Sequence, residues 1–340
     1  MASPAEVDAM RRALAAAVTP DAPLGPNPRV GCVLLASDGE LLAVGHHRGA
    51  GTAHAEVDAL RQTAGVAPGA TAVVTLEPCA HTGRTGPCAQ ALVEAGVARV
   101  VVAQRDVSVQ AAGGVDLLRS AGVDVETGVL EAPARSVNPW WTTAVERDRP
   151  FVTWKLATTL DGRVAATDGS SRWITGPRAR ADVHALRAVV DAVVVGTGTV
   201  LTDDPQLTVR DSDGVAATRQ PLRVVIGRRL PPPTAAVLDD AAATRVFPTH
   251  DVREVVETLG AAGLHHLLVE GGPTLAGAFM RQGLVDRVVA YVAPTLLGAG
   301  PHALGDIGIG SIDEALRLAL HDVTRIGDDL RITATVAKEA

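Results

Sequence analysis

His54-Ala55-Glu56, followed by Pro78-Cys79 and then by Cys88, is the stretch from which the fold can be read. One imidazole and two thiols form a donor set that suits zinc. Three protein ligands leave a fourth position for water, whose pKa the metal lowers toward neutrality. Glu56 is spare: two residues beyond His54, its carboxylate is placed to carry a proton between water and a departing group. His81 could complete a closed structural tetrahedron instead, but such a site would have no use for Glu56. The remaining cysteine, Cys32, lies in the apolar run Val30-Gly31-Cys32-Val33-Leu34-Leu35 and reads as a small buried thiol.

Working outward, the apolar pattern alternates strand and helix. Val7, Met10, Leu14 and Val18 recur at helical spacing and predict an amphipathic first helix. Runs 30–35 and 41–45 flank Asp38-Gly39, a hairpin turn dipeptide. A helix over 55–62, a strand over 72–76, a ligand-bearing loop, a helix over 89–95 and a strand over 99–103 complete a sheet with helices on its faces. Every proposed ligand then falls at the carboxyl end of a strand or the start of a helix, where α/β sites form. At a helix entrance Cys88 gains from the positive dipole end, which favours thiolate. Residues two apart diverge on a helix, so His54 and Glu56 can share a cavity only near its entrance.

Glu146-Arg147-Asp148-Arg149-Pro150 is a charged, proline-ended boundary, giving domains over 1–147 and 148–340. Beyond it the alternation restarts, with strands over 151–156, 192–195, 222–226, 267–269 and 287–292 and helices over 178–187 and 274–282. This predicts a second α/β domain around a largely parallel sheet. The run 227–233 is a loop or short spacer.

The formal net charge is −7. Residues 1–147 hold 11 basic and 15 acidic groups (−4), which leaves 20 and 23 (−3) for the rest. No Lys/Arg cluster exists to bind a polyphosphate backbone, and eight aromatic residues offer few stacking platforms. Nucleic acid is therefore not expected as a partner, and a small nucleotide-like molecule is. Three cysteines, two of them assigned to metal, leave no disulfide framework and point to the cytoplasm. No apolar run approaches the length of a membrane span, and the N-terminus lacks the basic and apolar regions of a secretory signal.

Two glycine-rich stretches follow strands of the second domain. Gly196-Thr197-Gly198 lacks the third glycine of a dinucleotide fingerprint, since Leu201 stands there, and reads as a turn. Glu270-Gly271-Gly272-Pro273-Thr274 lets a backbone approach a ligand and offers helix N–H groups to phosphate. Lys155 is one of only two lysines among 31 basic residues. Inside a strand, it suggests a need for a compact ammonium, although a strand-end lysine extended toward water is the alternative.

With these residues quoted, the chain resembles the bifunctional deaminase/reductase family of riboflavin biosynthesis over nearly its whole length. The carrying motifs are Pro26-Asn27-Pro28, His54-Ala55-Glu56, Thr75-Leu76-Glu77-Pro78-Cys79-Ala80-His81 running to Cys88, Leu160-Asp161-Gly162-Arg163, Trp173-Ile174-Thr175, Asp203-Asp204-Pro205, Leu207-Thr208-Val209-Arg210 and Glu270-Gly271-Gly272-Pro273-Thr274. The resemblance implies a cytidine-deaminase-like α/β/α domain followed by a dihydrofolate-reductase-like α/β domain. The first would remove the 2-amino group of a diaminopyrimidinone ribosyl 5′-phosphate, and the second would reduce the ribosyl group to ribityl with NADPH. It implies one Zn²⁺ per chain on His54, Cys79 and Cys88, with Glu56 as proton shuttle. Asn27, His47, His81 and Arg84 would line the deaminase pocket, Arg84 standing where the family often has lysine. Ser171, Arg187, Leu207, Arg210 and Glu270 would hold the reductase substrate. Ala157, Trp173, Thr199, Asp203, Gly272, Pro273, Thr274, Leu275, Ala276, Gly277 and Ala278 would face NADPH, with Lys155 assisting ring opening and proton delivery. A homo-oligomer is expected. Where the family commonly has Asp-Pro-Asn-Pro, this chain reads Asp106-Val107-Ser108-Val109, and the alternative is a reductase with an impaired deaminase. A nucleic-acid base deaminase is the more distant alternative, disfavoured by the charge count.

Overall fold

The computed structural model describes residues 1–20, 25, 27–81, 86–108, 112–211 and 213–336. The chain divides into two compact units, Met1–Asp148 and Arg149–Ala340, one residue beyond the boundary read from the charged segment.

In the first unit a five-stranded sheet runs β2 (Leu41–His46), β1 (Gly31–Leu35), β3 (Thr71–Leu76), β4 (Arg99–Gln104), β5 (Asp124–Thr127). The β2–β1 and β1–β3 pairs are antiparallel, while β3–β4 and β4–β5 are parallel. Alternate residues feed two cores. Cys32, Leu34, Val74, Val100 and Val102 face α2 (Ala55–Arg61), α3 (Cys88–Glu94) and α4 (Gly114–Ser120). Val33, Leu35, Val73 and Val101 face α1 (Pro4–Ala17) and α5 (Glu131–Val137). Burial on both faces explains why these strands read as continuous apolar runs.

The buried face of α1 is Glu6, Ala9, Met10, Ala13, Ala16 and Ala17, a correction to the expected stripe of Val7, Met10, Leu14 and Val18. Close packing decides it at one point: a Cβ on Gly31 would lie 1.9 Å from the Ala13 carbonyl oxygen, so alanines face the sheet there, while Met10 keeps its expected place and Leu14 packs at the margin of the core. The sequence pattern left α4, β5, α5 and α6 (Pro139–Arg147) unassigned.

In the second unit eight strands run β12 (Leu318–Ile326), β13 (Asp329–Val336), β11 (Arg287–Ala293), β6 (Phe151–Thr159), β10 (His266–Val269), β7 (Ala192–Gly196), β8 (Leu222–Ile226), β9 (Thr244–Phe247). From β11 to β9 all pairs are parallel, and β13 and β12 close one edge antiparallel. α9 (Val252–Ala261) and α10 (Pro273–Arg281) cover one face, α7 (Pro177–Ala188) the other. Gly196 is not part of an isolated turn, as the sequence suggested, but caps the short helix α8 (Thr197–Asp203). Inserting β10 between β6 and β7 brings three crossover loops together at the carboxyl ends of these strands, where ligands of such sheets bind.

Candidate active sites

His54 is the N-cap of α2, Glu56 its second residue, and Cys88 the first residue of α3. Cys79 follows β3 by three residues. The start of α2 is fixed by contact with β2: a Cβ at Gly45 would approach the Ala55 carbonyl oxygen to 2.3 Å. His54 Nδ1 lies 3.2 Å from Cys88 Sγ and 3.6 Å from Cys79 Sγ, and all three donors fall within 4.8 Å of one another. Tetrahedral zinc with bonds of about 2.1 Å to nitrogen and 2.3 Å to sulfur separates its ligands by about 3.5 Å, so the donors fit the ion. Among the described residues no fourth ligand joins them, and His81 is exposed, which leaves the closed structural tetrahedron without its fourth member.

Glu56 is buried, and burial pushes its carboxyl up to about 7. The hydrogen bond from Cys88 holds the Cys79 thiol down to about 4, while its counterpart on Cys88 is pushed up. Zinc binds cysteine as the thiolate, so a cation held here would displace the remaining thiol proton. The Cys79 contact likewise raises His54. His47 is buried, its Nδ1 3.0 Å from the Ala53 carbonyl and its Nε2 3.0 Å from Asn27 Nδ2. Nδ1–H donates to the carbonyl and Nε2 accepts from the amide, so Asn27 and His47 meet beside His54, whose ring centroid is 5.3 Å from that of His47. Sequence reasoning passed over Asn138, which pins this segment: its Oδ1 accepts from Arg29 N at 2.7 Å and its Nδ2 donates to the Arg29 carbonyl at 2.8 Å. The Asn-Pro dipeptide was its only local signal. Arg84 lies outside the described residues, as do Pro26 and Val109.

In the second unit Glu270, just past β10, accepts from Arg187 Nε at 2.6 Å and Nη2 at 3.0 Å, and lies 3.6 Å from Lys155 Nζ on β6. Burial alone would raise the Glu270 carboxyl, but Arg187 and then Lys155 outweigh it and hold it down to about 2. Burial lowers Lys155, opposed by Glu270. Arg187 Nη1 also reaches the Thr208 carbonyl at 3.1 Å, and Arg210 donates its backbone N–H to His184 Nδ1 at 3.2 Å and its Nε–H to Thr208 Oγ1 at 3.2 Å. The expected Arg187, Arg210, Glu270 and Lys155 thus converge, and His184, unflagged by the sequence, joins them.

The other expected contact residues are variously placed. Leu207 carries φ 56° and buries its side chain in the core with Val193 and Val195, so only its backbone can face a ligand. Ala276 packs into the opposite core and Gly277 against Asp306, because the helical period turns them inward. Ala157, Leu275 and Ala278 are partly buried against core residues. Gly272 and Thr274 are exposed at the start of α10, with Pro273 in its first turn. A Cβ on Gly272 would meet nothing nearer than Thr199 Oγ1 at 4.0 Å, so the space above this helix start is open on the side of Thr199. Such a cradle fits the phosphates of a dinucleotide. Trp173 is exposed beneath the Arg180 guanidinium, 4.4 Å from its ring centroid. Asp203, whose carboxyl burial raises, accepts from Arg172 through its carbonyl, and Ser171 is half-buried nearby in sequence.

Comparison with known proteins matches both units. The model of the cytidine and deoxycytidylate deaminase zinc-binding region matches residues 5–104, and that of the RibD C-terminal domain matches 150–332. The riboflavin biosynthesis protein RibD of Mycobacterium tuberculosis is 48% identical over 309 residues, covering 91% of each chain. Its counterpart in Escherichia coli K12 is 39% identical, over 90% of this chain and 92% of that one. The solved structure of Acinetobacter baumannii RibD superposes with a TM-score of 0.88 at 39% identity, covering 98% of this chain and 99% of that one.

Proposed function

We infer the chemistry from family membership: the chain belongs to the RibD family, and it is a bifunctional deaminase and reductase of riboflavin biosynthesis. The first unit is proposed to deaminate the diaminopyrimidinone ribosyl 5′-phosphate and the second to reduce the ribosyl group to ribityl. Water adds to the ring carbon that bears the 2-amino group, and ammonia leaves. The observation that carries this reading is the His54–Cys79–Cys88 triad with buried Glu56 beside it. Zinc held by the triad supplies Lewis acidity toward water. Glu56 takes a proton from water and returns one to the departing amine, a task suited to a carboxyl that titrates near neutrality. Asn27, whose amide is held by His47 Nε2, orients the pyrimidine.

NADPH, proposed at the Gly272–Thr274 helix start, supplies the reducing equivalent. Glu270, fixed by Arg187, is placed to hold ribosyl hydroxyls, Arg210 and His184 its phosphate. Lys155, an ammonium weakened by burial, is placed to deliver a proton as the ribose ring opens. A homo-oligomer is supported by β12, where Leu318, Leu320 and Val323 lie exposed along the sheet edge. Among the described residues no helix is long and apolar enough to cross a membrane, and three free cysteines fit work in the cytoplasm.

The test is to incubate the zinc-loaded chain with the diaminopyrimidinone ribosyl phosphate and NADPH and identify products by mass spectrometry. Deaminated and reduced product is expected. Reduction only of separately supplied deaminated intermediate would reveal a chain that has lost its first activity, the outcome the 106–109 departure raised and the complete metal triad argues against.

A further inference from the structure

Glu77 is buried at the end of β3, two residues before Cys79, and the chemistry above gives it no part. Its carboxylate accepts four hydrogen bonds. Oε2 takes Arg105 Nε–H at 2.9 Å and the Asp106 N–H at 3.1 Å; Oε1 takes the N–H groups of Gly113 at 3.2 Å and Val115 at 3.0 Å. One side chain thus holds both ends of the loop that leaves β4 and enters α4. That loop rests on both neighbours of Cys79. A Cβ at Gly114 would lie 1.7 Å from the Pro78 carbonyl oxygen, and one at Gly113 would lie 3.7 Å from the Ala80 Cβ. Between the clamped ends the loop carries the departure at Asp106-Val107-Ser108, whose shape is set by Asp106 Oδ1 accepting from Ser108 N at 2.7 Å.

We propose that Glu77 is a positioning residue for deamination, fixing residues 105–108 and Gly113 against the zinc-ligand loop so that 105–108 present one preformed wall to the pyrimidine. Prolines rigidify a loop by removing conformers from the free chain. Here, where the family pattern has a proline and this chain has Val107, residues 105–108 are held instead by a buried carboxylate with four donors. A charged acceptor bonded to backbone N–H groups at both ends costs more to disturb than a neutral contact. The proposal rests on the first unit being a deaminase.

Glu77→Gln in the full zinc-loaded chain tests it. Glutamine keeps an oxygen for Gly113 and Val115 but turns an NH₂ toward the Arg105 and Asp106 donors, freeing one end of the loop. Expected are a KM for deamination raised about tenfold with kcat within about threefold, from the loss of one charge-assisted contact. Zinc stoichiometry and reduction of separately supplied deaminated intermediate should stay as in the wild type. An unchanged KM overturns the proposal, and so does a joint fall in zinc content, kcat and folded fraction, which would make Glu77 an anchor of the metal loop alone. If Glu77→Gln does not accumulate as folded protein, Arg105→Ala removes one arm of the clamp from a half-exposed position. A KM raised about threefold then supports the proposal and an unchanged KM overturns it. A wild-type chain that binds zinc but does not deaminate overturns the deaminase reading and this proposal with it.

Discussion

Replacing Glu270 by glutamine keeps its volume and removes the one charge between Arg187 and Lys155. Its carboxyl sits at about 2 in the folded chain against an ordinary 4.5, which corresponds to about 3 kcal/mol of stability. Breaking a buried pair from one side costs a comparable 3–5 kcal/mol or so, because the partner charge stays behind. Lys155, already lowered by burial, can shed its proton, whereas Arg187 cannot, so the residual cost falls on the guanidinium. The sign of the pH dependence follows from the depressed folded value. The contribution is present in full above pH 4.5 and is lost as pH falls from there through about 2, leaving about half at pH 3. Urea unfolding followed by hydrogen exchange of peptides from β10 isolates the second unit. Wild type should exceed Glu270→Gln by about 3 kcal/mol at pH 7, with the gap narrowing below pH 4.5. A gap under about 1 kcal/mol at pH 7, or one that does not narrow in acid, refutes the reasoning.

Glu56→Gln should keep zinc, measured by atomic emission, while deamination falls at least about a hundredfold and reduction of supplied intermediate is untouched; loss of zinc with the activity would make Glu56 a ligand. Gly272→Ala meets open space, so its thermal midpoint should match wild type, yet the added methyl occupies the proposed cofactor cradle. NADPH affinity, read by quenching of protein fluorescence, should drop about tenfold or more, and unaltered affinity would move the cofactor elsewhere. Leu320→Lys, on the fully exposed part of β12, should shift the sedimentation coefficient toward monomer without changing stability.

The zinc centre was legible because its members sit on short, regular elements whose periodicity survives in sequence. The apolar runs of β1, β3 and β4 announce a sheet buried on both faces, and the ligands follow at strand ends and helix starts. The α1 stripe was misread for a packing reason. Large apolar residues mark the core when helix and sheet stand at ordinary distance, but over Gly31 alanine makes the closer contact and Val18 is left exposed. Likewise α5 ends and α6 begins at Asn138-Pro139, and β12 exposes residues along its length, so none of the three shows the alternation from which an element is read.

The second centre depends on contacts that no local pattern records. Lys155 on β6 and Glu270 just past β10 are 115 positions apart and become neighbours only because β10 inserts beside β6, with Val269 paired to Trp154. Composition could single out Lys155 and the turn could single out Glu270, but their pairing through Arg187 follows from the crossover order of the sheet. Glu77 makes the same point at shorter range. In sequence it is an acidic residue between a strand and a proline; folded, it is the one carboxylate that both ends of the next loop share. A buried charge with a complete set of donors has to be found in the fold, because what marks it is the spatial convergence of N–H groups that lie as far apart in sequence as Arg105 and Val115.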